Sequence, residues 1–303
     1  MTESVISPMS KICIVVLFSF TSLIATAQST PSQKRSNKIC GPKHIDQCFI
    51  DLARDQVGIW SSPFRVQSRD AIWLIPFAGA TGAAIYYDAD AQQQLGINQN
   101  RIDTGNSISR FGSPYATVGA GVGLYALGFF SKNEKLSETG RLGAEAVIDA
   151  SIVAEAVKLA TNRQRPFQGD GTGKFWPHGT KEYELDSSFP SGHAAASWAL
   201  ARVIASEYPG IIPKLAAYGF ATTISVARVT SRNHFPSDVL VGSTFGYLIG
   251  GYVYRHHNAE SAENYTFLLT PEFNQASHTY GARLELPASA FAHPQRTLRE
   301  ALR

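Results

Sequence analysis

Six apolar segments of helical length constrain the fold of this 303-residue chain more than any other feature. They cover residues 71–87, 113–130, 141–160, 190–207, 213–229 and 236–254, and turn-rich loops separate them. The segments are longer than typical strands, and segment 141–160 intersperses three carboxylates among its apolar residues, as amphipathic helices do. The sequence therefore predicts an all-α fold, a bundle of helices packed around one core.

The apolar segments could lie either in a membrane or in the core of a soluble domain. Segment 113–130 carries no charged residue, and its length is marginal for a membrane span. Hydropathy alone leaves insertion of this segment open. Several of the other apolar runs are shorter than the ~20 residues that a span requires, and carboxylates interrupt segment 141–160. We therefore expect a domain that is soluble or attached to a membrane at its periphery.

The N-terminus has the pattern of an export signal. An apolar run over residues 12–25 follows Lys11 and leads into Ala-Thr-Ala, a small-x-small cleavage pattern. This predicts a secretory signal over residues 1–27, followed by a flexible polar leader over residues 28–39. Glu3 is atypical of such signals, so an uncleaved membrane anchor is the alternative. The segment indicates export to the periplasm or cell envelope.

Cysteine usage agrees with export. Cys13 lies within the predicted signal, which leaves Cys40 and Cys48 as the only pair in the mature chain. An even number of cysteines in an exported protein predicts a disulfide, here one that closes a short N-terminal loop. Two free thiols, or a metal pair completed by His44, are the weaker alternatives.

The domain limits follow from these patterns. Helical segments predict one domain over residues 40–255, and the sequence motifs below define its core, 110–254. Residues 256–303 form a C-terminal extension of different character. Within it, segments 265–270 and 279–286 are rich in β-branched residues, Leu and Tyr around a turn-like stretch, which predicts a β-hairpin.

Charge excludes one class of partner. The formal net charge is +3, the isoelectric point is near 8.7, and the basic residues are scattered. A nucleic-acid surface needs a denser basic patch. We therefore expect no nucleic-acid partner.

The first of three polar motifs supplies two cations. Lys158 and Arg165 are seven residues apart, about two helical turns, so a helix continuing through both would place them on one face. Pro166 would then stop that helix. The pair predicts a cradle for a dianion.

The second motif is Pro-Ser-Gly-His, at the start of the segment 190–207. Pro190 suits the first position of a helix, which would leave the amides of Ser191, Gly192 and His193 as free donors at the positive end of the helix dipole. His193 adds a group that titrates near neutral pH. The motif predicts an anion site.

The third motif combines a cation, an imidazole and a carboxylate. Pro236 predicts a helix start, which places His234 just before the helix and Asp238 in its first turn. A carboxylate there can accept the Nδ1 proton of His234, which leaves Nε2 as a nucleophile. Arg228 supplies a third cation.

Together the motifs predict phosphoryl transfer without a metal. The phosphate oxygens would be bound by Lys158, Arg165, Ser191, Gly192 and Arg228. His234 would attack phosphorus, and His193 would protonate the leaving oxygen and then activate the water that hydrolyses the phosphohistidine. No metal ligand and no cofactor is required.

These residues resemble the type 2 phosphatidic acid phosphatase and vanadium haloperoxidase superfamily. Its pattern is a Lys separated by six residues from Arg-Pro, then Pro-Ser-Gly-His, then Ser-Arg, five residues, His, three residues and Asp; Ala227 stands here in place of that Ser. The match is strict from Lys158 to Asp238. The resemblance implies a helical bundle, His234 as nucleophile, and hydrolysis of phosphomonoesters or pyrophosphates, with vanadate expected as an inhibitor.

Two other functions fit the same motifs. In a vanadium-dependent haloperoxidase, vanadate would be a cofactor bound through His234, although this chain is short for that class. In a non-catalytic phosphate- or phospholipid-binding protein, the same groups would only bind. The residues leave the substrate open between a phosphorylated small molecule and a lipid phosphate, and they do not indicate the oligomeric state.

The remaining polar residues receive ordinary structural interpretations. Arg163 and Arg232 lie beside the motifs but outside their spacing, so we expect surface charges or a place at the edge of the phosphate site. The Gly-rich segment 167–188 is a candidate lid or leaving-group pocket, with a plain surface connector as the alternative. The remaining histidines, for which we expect structural or exposed positions, are His44, His256, His257, His278 and His293.

Overall fold

The computed structural model describes residues 40–41, 43–177, 179, 186–257, 268–274 and 279–285. The predicted signal and leader, and the residues His178, His278 and His293, lie outside this part. The chain divides into two units, Met1–Phe49 and Ile50–Arg303. In the first unit, Cys40 and Cys48 form the predicted disulfide, with their Cα atoms 4.6 Å apart.

Helices make up most of the described residues. Eight α-helices occur there: α1 Ile45–Ser61, α2 Ala71–Leu95, α3 Gln99–Ser109, α4 Pro114–Ser131, α5 Glu134–Thr161, α6 Gly192–Glu207, α7 Ile211–Thr230 and α8 Pro236–His257. Short 3-10 helices follow α1, precede α2 and follow α3. The predicted all-α bundle is confirmed.

Each of the six predicted segments is a helix, with shifts at its ends. The helices α1 and α3 were not among them. Helix α3 is mostly polar, so it lacks the apolar period that marks a helix in sequence. Helix α6 begins at Gly192 rather than at Pro190, because Ser191 is its N-cap and accepts a hydrogen bond from the amide of Ala194 at 3.4 Å.

The core is formed around α5 and α6. Helix α5 packs against α4 and α6, and α6 packs in turn against α7 and α8. Its fully buried side chains include Leu142, Val147 and Val203, with many alanines between them. Small side chains let the helix axes approach closely, which fixes the relative positions of the helix ends.

Helices α6 and α8 approach each other closely. A Cβ atom added to any of three α8 glycines would lie within 2.5 Å of a backbone oxygen of α6 or its N-cap. The pairs are Gly242 with Ser191, Gly246 with Ala195 and Gly250 with Ala199. Only glycine fits at these three contacts. The start of α6 is thereby held beside the start of α8.

The predicted C-terminal hairpin is present, and its first strand lies further along the chain than predicted. Strands β1, Leu268–Asn274, and β2, Thr279–Glu285, pair antiparallel, with Leu268 opposite Glu285 and Asn274 opposite Thr279. The prediction began the first strand three residues earlier and ended it four residues earlier. The hydrogen-bonded register continues through Pro271 and Glu272, which carry little strand propensity of their own.

A helix can span a membrane only if it is both long and apolar. Among the described residues, none of the helices combines the length and the apolar character that a transmembrane span requires.

Candidate active site

Four helix ends meet where the three motifs lie. The last turn of α5 carries Lys158 and the last turn of α7 carries Arg228, while α6 begins at Gly192 and α8 begins at Pro236. The hydroxyl of Thr161 donates to the carbonyl of Phe189 at 2.7 Å, which joins the end of α5 to the loop before α6. The motifs, up to 80 residues apart in sequence, therefore form one site.

The sequence predicted that Lys158 and Arg165 share one helix face, and this prediction is wrong. Helix α5 ends at Thr161, and Asn162 has a left-handed backbone with φ of 40°. Asparagine tolerates this conformation better than most residues, so the helix ends at Thr161, five residues before Pro166. Arg165 therefore reaches the site from a loop and Lys158 from the helix.

The cations are fixed by different partners. The Arg165 guanidinium donates to the carbonyl of Asn233 at 3.0 Å and pairs with Asp186 at 2.6 Å. Arg228 is buried and donates to the hydroxyl of Ser109 at 3.2 Å, while its buried Nε has no hydrogen-bond partner among the described residues. An unpartnered guanidinium nitrogen beside a second arginine is suited to an anion.

Lys158 is partly neutralised at the same place. Its ammonium group lies 2.7 Å from Glu155, whose side chain is 56% exposed. A Cβ added to Gly192 would lie 3.4 Å from Lys158 Nζ. The ammonium group is therefore directly beside the first residue of α6.

The anion site at the start of α6 differs in one donor from the prediction. The Ser191 amide is not free, because it donates to the carbonyl of Asp238 at 2.9 Å. Within the described residues, the amides of Gly192 and His193 have no hydrogen-bond acceptor, as expected for the first turn of a helix. Two amides, rather than three, remain for an anion.

His234 is fixed by a backbone carbonyl. Its side chain is 1% exposed, and Nδ1 lies 2.8 Å from the carbonyl oxygen of Ser188. The predicted acceptor, Asp238, is 3.7 Å from Nδ1, which is too long for a hydrogen bond. A carbonyl only accepts, so Nδ1 carries the proton and Nε2 keeps its lone pair.

Asp238 instead organises the backbone around His234. Its Oδ2 accepts hydrogen bonds from the amide of Phe235, at 2.7 Å, and from the hydroxyl of Ser188. Its Oδ1 accepts from Arg163 at 2.6 Å. Asp238 thus holds Ser188 and Phe235, which both contact or adjoin His234. The carbonyl of Ser188 is the group that fixes the tautomer of His234.

Arg163 is buried, contrary to the prediction of a surface or peripheral charge. Its side chain is 1% exposed and bridges Asp238 and Asp88, the latter at 2.7 Å. Asp88 in α2 also accepts from the hydroxyl and the amide of Ser237. The prediction failed because it assumed that α5 continued through Arg163; Asp88 lies 75 residues away and belongs to no recognisable motif.

The cations lower the pKa of both histidines. Burial, and then Arg228, Arg165 and Lys158, hold the pKa of His234 well below its usual value. The same causes, with Arg228 the first of the charges, lower the pKa of His193. Burial and Arg165 lower the pKa of Arg228 to about 10. The site without an anion therefore has excess positive charge, which a bound dianion would offset.

The loop after α5 folds back on the site. The Gln164 amide donates to Lys174 and the Trp176 amide donates to Asn162, both at 3.0 Å. Phe175 packs under the Arg163 guanidinium, 4.8 Å from its ring centroid. Segment 163–176 is thereby tied to the site, whereas residues 178 and 180–185, in the middle of the predicted lid, lie outside the described residues.

Arg232 also has a defined place. Its guanidinium donates to the carbonyls of Gln92 at 2.9 Å and of Pro166 at 3.3 Å. It therefore connects the end of α2 to the loop that carries Arg165.

A family model for the PAP2 superfamily matches residues 142–262. This segment, called the PAP2 segment below, is similar to that superfamily. The PAP2 segment contains all eight residues predicted for the site: Lys158, Arg165, Ser191, Gly192, His193, Arg228, His234 and Asp238. Asp88, which completes the buried network around Arg163, lies outside it.

Relatives with similar sequences are named as lipid A phosphatases. The chain is 35% identical over 80 residues to the lipid A 1-phosphatase of Porphyromonas gingivalis, which covers 26% of this chain and 17% of that protein. It is 33% identical over 103 residues to the lipid A 1-phosphatase of Rhizobium etli, covering 33% of this chain and 42% of that protein. The chain thus spans less than half the length of either relative.

Solved structures of PAP2 proteins are more distant. A transmembrane PAP2 type phosphatidylglycerolphosphate phosphatase from Bacillus subtilis has a TM-score of 0.45 and 17% identity, covering 73% of this chain and 98% of that one. Aquifex aeolicus LpxE has a TM-score of 0.38 and 20% identity, covering 55% of this chain and 93% of that one.

Proposed function

We propose that this protein is a phosphatase that hydrolyses lipid phosphates through a phosphohistidine at His234. The observation that carries the proposal is the hydrogen bond from Nδ1 of His234 to the Ser188 carbonyl, 2.8 Å long. It leaves the unprotonated Nε2 as the nucleophilic atom in a site with three cations. Asp238 is then a positioning residue, which acts through Ser188 and the backbone at Phe235.

The first step transfers the phosphoryl group to the protein. Nε2 of His234 forms a bond to phosphorus while the bond to the ester oxygen breaks, and the cations and the α6 amides bind the other phosphate oxygens. Arg228 is suited to this, since its buried Nε has no other described partner. Lys158, Arg165 and the amide of Gly192 complete the set.

His193 would move the protons of both steps. As the acid, it would protonate the leaving oxygen, and as the base it would take a proton from the water that cleaves the phosphohistidine. Burial and then the surrounding cations lower its pKa. A bound phosphate dianion opposes that shift, so the substrate itself promotes the protonated form.

The donor set requires no metal ion for this reaction. Two arginines, one lysine and backbone amides supply the positive charge that a divalent cation supplies in other phosphoryl-transfer enzymes. We therefore expect chelators to leave turnover unchanged, and vanadate to inhibit by occupying the phosphate site.

Lipid phosphates are the substrate class that two observations support. The relatives above are named as lipid A 1-phosphatases. In addition, α4 exposes Tyr115, Leu127 and Phe130 by 91%, 63% and 82%, and α7 exposes Ile212 by 77%. Where exposed apolar side chains lie together in one patch, they are typical of surfaces that contact membranes or other proteins. We propose that the domain works at the surface of the cell envelope.

A phosphate-release panel tests the function. Purified full-length protein, in mixed micelles with EDTA, is given lipid A, phosphatidic acid and p-nitrophenyl phosphate. We expect a higher kcat/KM on the two lipids than on the soluble ester, with loss of all turnover in His234→Ala. Release no faster than in buffer on every substrate would contradict the proposal, and vanadate-dependent bromide oxidation by peroxide would replace it with the haloperoxidase.

A further inference from the structure

A second cluster of ionisable groups lies away from the phosphate site. Two pairs of carboxylates, each four residues apart on one helix, face the last residue of α8; the members are Asp51 and Asp55 on α1, Glu145 and Asp149 on α5, and His257 on α8. Glu145 precedes Lys158 by 13 residues on α5, which is about 20 Å along the helix axis. No sequence motif indicates this cluster, because His257 is 112 residues from Glu145.

The atoms of the cluster lie close together, and one pair of them, His257 Nε2 and Asp55 Oδ2, is hydrogen-bonded. Nε2 of His257 lies 2.9 Å from Asp55 and 3.4 Å from Oε1 of Glu145. Single ligand atoms of Asp51, Glu145 and His257 all lie within 4.8 Å of one another. Ligands bonded tetrahedrally at ~2.0–2.2 Å are themselves roughly 3.3–3.5 Å apart, so small movements would suffice.

Three buried carboxylate oxygens of this cluster have no hydrogen-bond donor among the described residues. They are Oδ1 of Asp55, Oε1 of Glu145 and Oδ2 of Asp149, on residues that are 0%, 8% and 0% exposed. Such atoms are rare in folded proteins because their desolvation is uncompensated. Their number points to a missing positively charged ligand.

The cations nearby do not balance the carboxylates. Arg141 lies 3.3 Å from Oε2 of Glu145, but it pairs more closely with Glu138, at 2.5 Å. Nδ1 of His256 lies 3.7 Å from Oδ1 of Asp55. Neither group reaches the unpartnered oxygens at hydrogen-bond distance, and Nε2 of His257, 3.4 Å from Oε1 of Glu145, forms no hydrogen bond to it.

We propose that Asp55, Glu145 and His257, with the half-buried Asp51, bind one divalent transition-metal cation, Zn²⁺ or Mn²⁺. An imidazole among carboxylates favours these ions over Ca²⁺ and Mg²⁺, which prefer oxygen ligands alone. The ion joins α1, α5 and α8, so its role is to stabilise the fold. It lies too far from His234 to take part in phosphoryl transfer.

Protons are the competing occupants of the cluster. Burial raises the pKa of Glu145 to about 7 and that of Asp149 to about 8, so a cluster that binds no metal holds protons near neutral pH. Protons and a metal ion would both neutralise the buried carboxylates, so a measurement of metal binding is needed to distinguish the two.

The experiment measures Zn²⁺ and Mn²⁺ binding to EDTA-treated full-length protein at pH 8. We expect one bound equivalent, a higher midpoint of thermal unfolding with metal, and an affinity at least about tenfold lower in Glu145→Gln. Glu134→Gln is the matched control, because Glu134 is exposed on the same helix. With Co²⁺ as the probe, the ligand-field absorption should be lost in His257→Asn.

Equal metal content in the wild type and in Glu145→Gln would overturn the proposal, as would a wild-type unfolding midpoint that metal does not change. If Glu145→Gln fails to fold, the Co²⁺ spectra of the wild type and His257→Asn decide between the outcomes. Phosphate release is expected to survive EDTA in each case, so a negative result here leaves the proposed phosphatase untouched.

Discussion

At the scale of single residues, the site depends on how a buried imidazole is oriented. The third motif was sufficient to predict that His234 precedes α8 and that Asp238 lies in its first turn, because Pro236 marks the helix start. It was not sufficient to predict the partner of Nδ1. That partner is the carbonyl of Ser188, and no side-chain pattern indicates which backbone carbonyl will face a histidine 46 residues away.

Arg163 provides the sharpest residue-scale prediction. Its two ion pairs, with Asp88 and Asp238, are almost fully buried, and removing one partner of such a pair leaves an uncompensated charge. We expect Asp88→Ala to lower the free energy of unfolding by about 3–5 kcal/mol and to lower kcat, although Asp88 lies outside the phosphate site. Urea denaturation and phosphate release measure the two effects.

The control for this prediction is Asp103→Asn, since Asp103 is exposed on α3 and bonds only to Gln99 among the residues described. This substitution should change the free energy of unfolding by no more than about 0.5 kcal/mol. Equal losses in the two variants would contradict a structural role for the Arg163 pairs.

At the scale of helices, the site is a meeting of helix ends. The apolar period predicted six helices, and Pro236 located one start correctly. It could not locate the end of α5, because the left-handed backbone of Asn162 depends on the contacts of the loop that follows. The two free amides at α6 likewise depend on which residue becomes the N-cap, Ser191 in place of Pro190.

The glycine contacts between α6 and α8 predict a coupling of packing to catalysis. In Gly246→Ala, the new Cβ would lie 2.1 Å from the carbonyl oxygen of Ala195, so the helices must separate. We expect a loss of about 1–3 kcal/mol in the free energy of unfolding, together with a lower kcat, because His193 and Asp238 lie at the starts of these helices. Thermal unfolding measures the loss of stability, and phosphate release measures the change in kcat.

Gly219→Ala on α7 is the matched control. No atom lies within 4 Å of the Cβ position there, so the substitution should gain up to about 1 kcal/mol from helix propensity alone. A Gly246→Ala protein as stable and as active as Gly219→Ala would contradict the close contact.

At the scale of the whole molecule, charge is sorted along α5. Cations gather around Lys158 at its C-terminal end, and buried carboxylates gather around Glu145, about 20 Å away. Local sequence does not reveal this separation, since the net charge of +3 is unremarkable. It arises from tertiary packing, which brings α1 and the end of α8 to one group and the starts of α6 and α8 to the other.

The excess of cations predicts how stability depends on pH. The folded state lowers the pKa of His193 from 6.5, so below pH 6.5 the unfolded chain binds a proton there that the folded protein does not. Stability must then fall as the pH decreases from 6.5, by up to about 1.4 kcal/mol per pH unit for this histidine.

His193→Asn should remove that contribution. In phosphate-free buffer, we expect the free energies of unfolding of the wild type and the variant, measured with urea, to converge or cross as the pH decreases from 6.5 to 4.5. Parallel curves would show that the cations do not lower the pKa of His193.

The central claim is that Nε2 of His234 becomes phosphorylated during turnover. Protein quenched in alkali within the first turnover of a lipid phosphate, and digested for mass spectrometry, should carry one phosphoryl group on the peptide that contains His234. Once formed, the adduct should persist longer in His193→Asn, which lacks the base for its hydrolysis, and it should be absent from His234→Ala. Turnover in His234→Ala at the wild-type rate, or a phosphoryl group on another residue, would contradict the account.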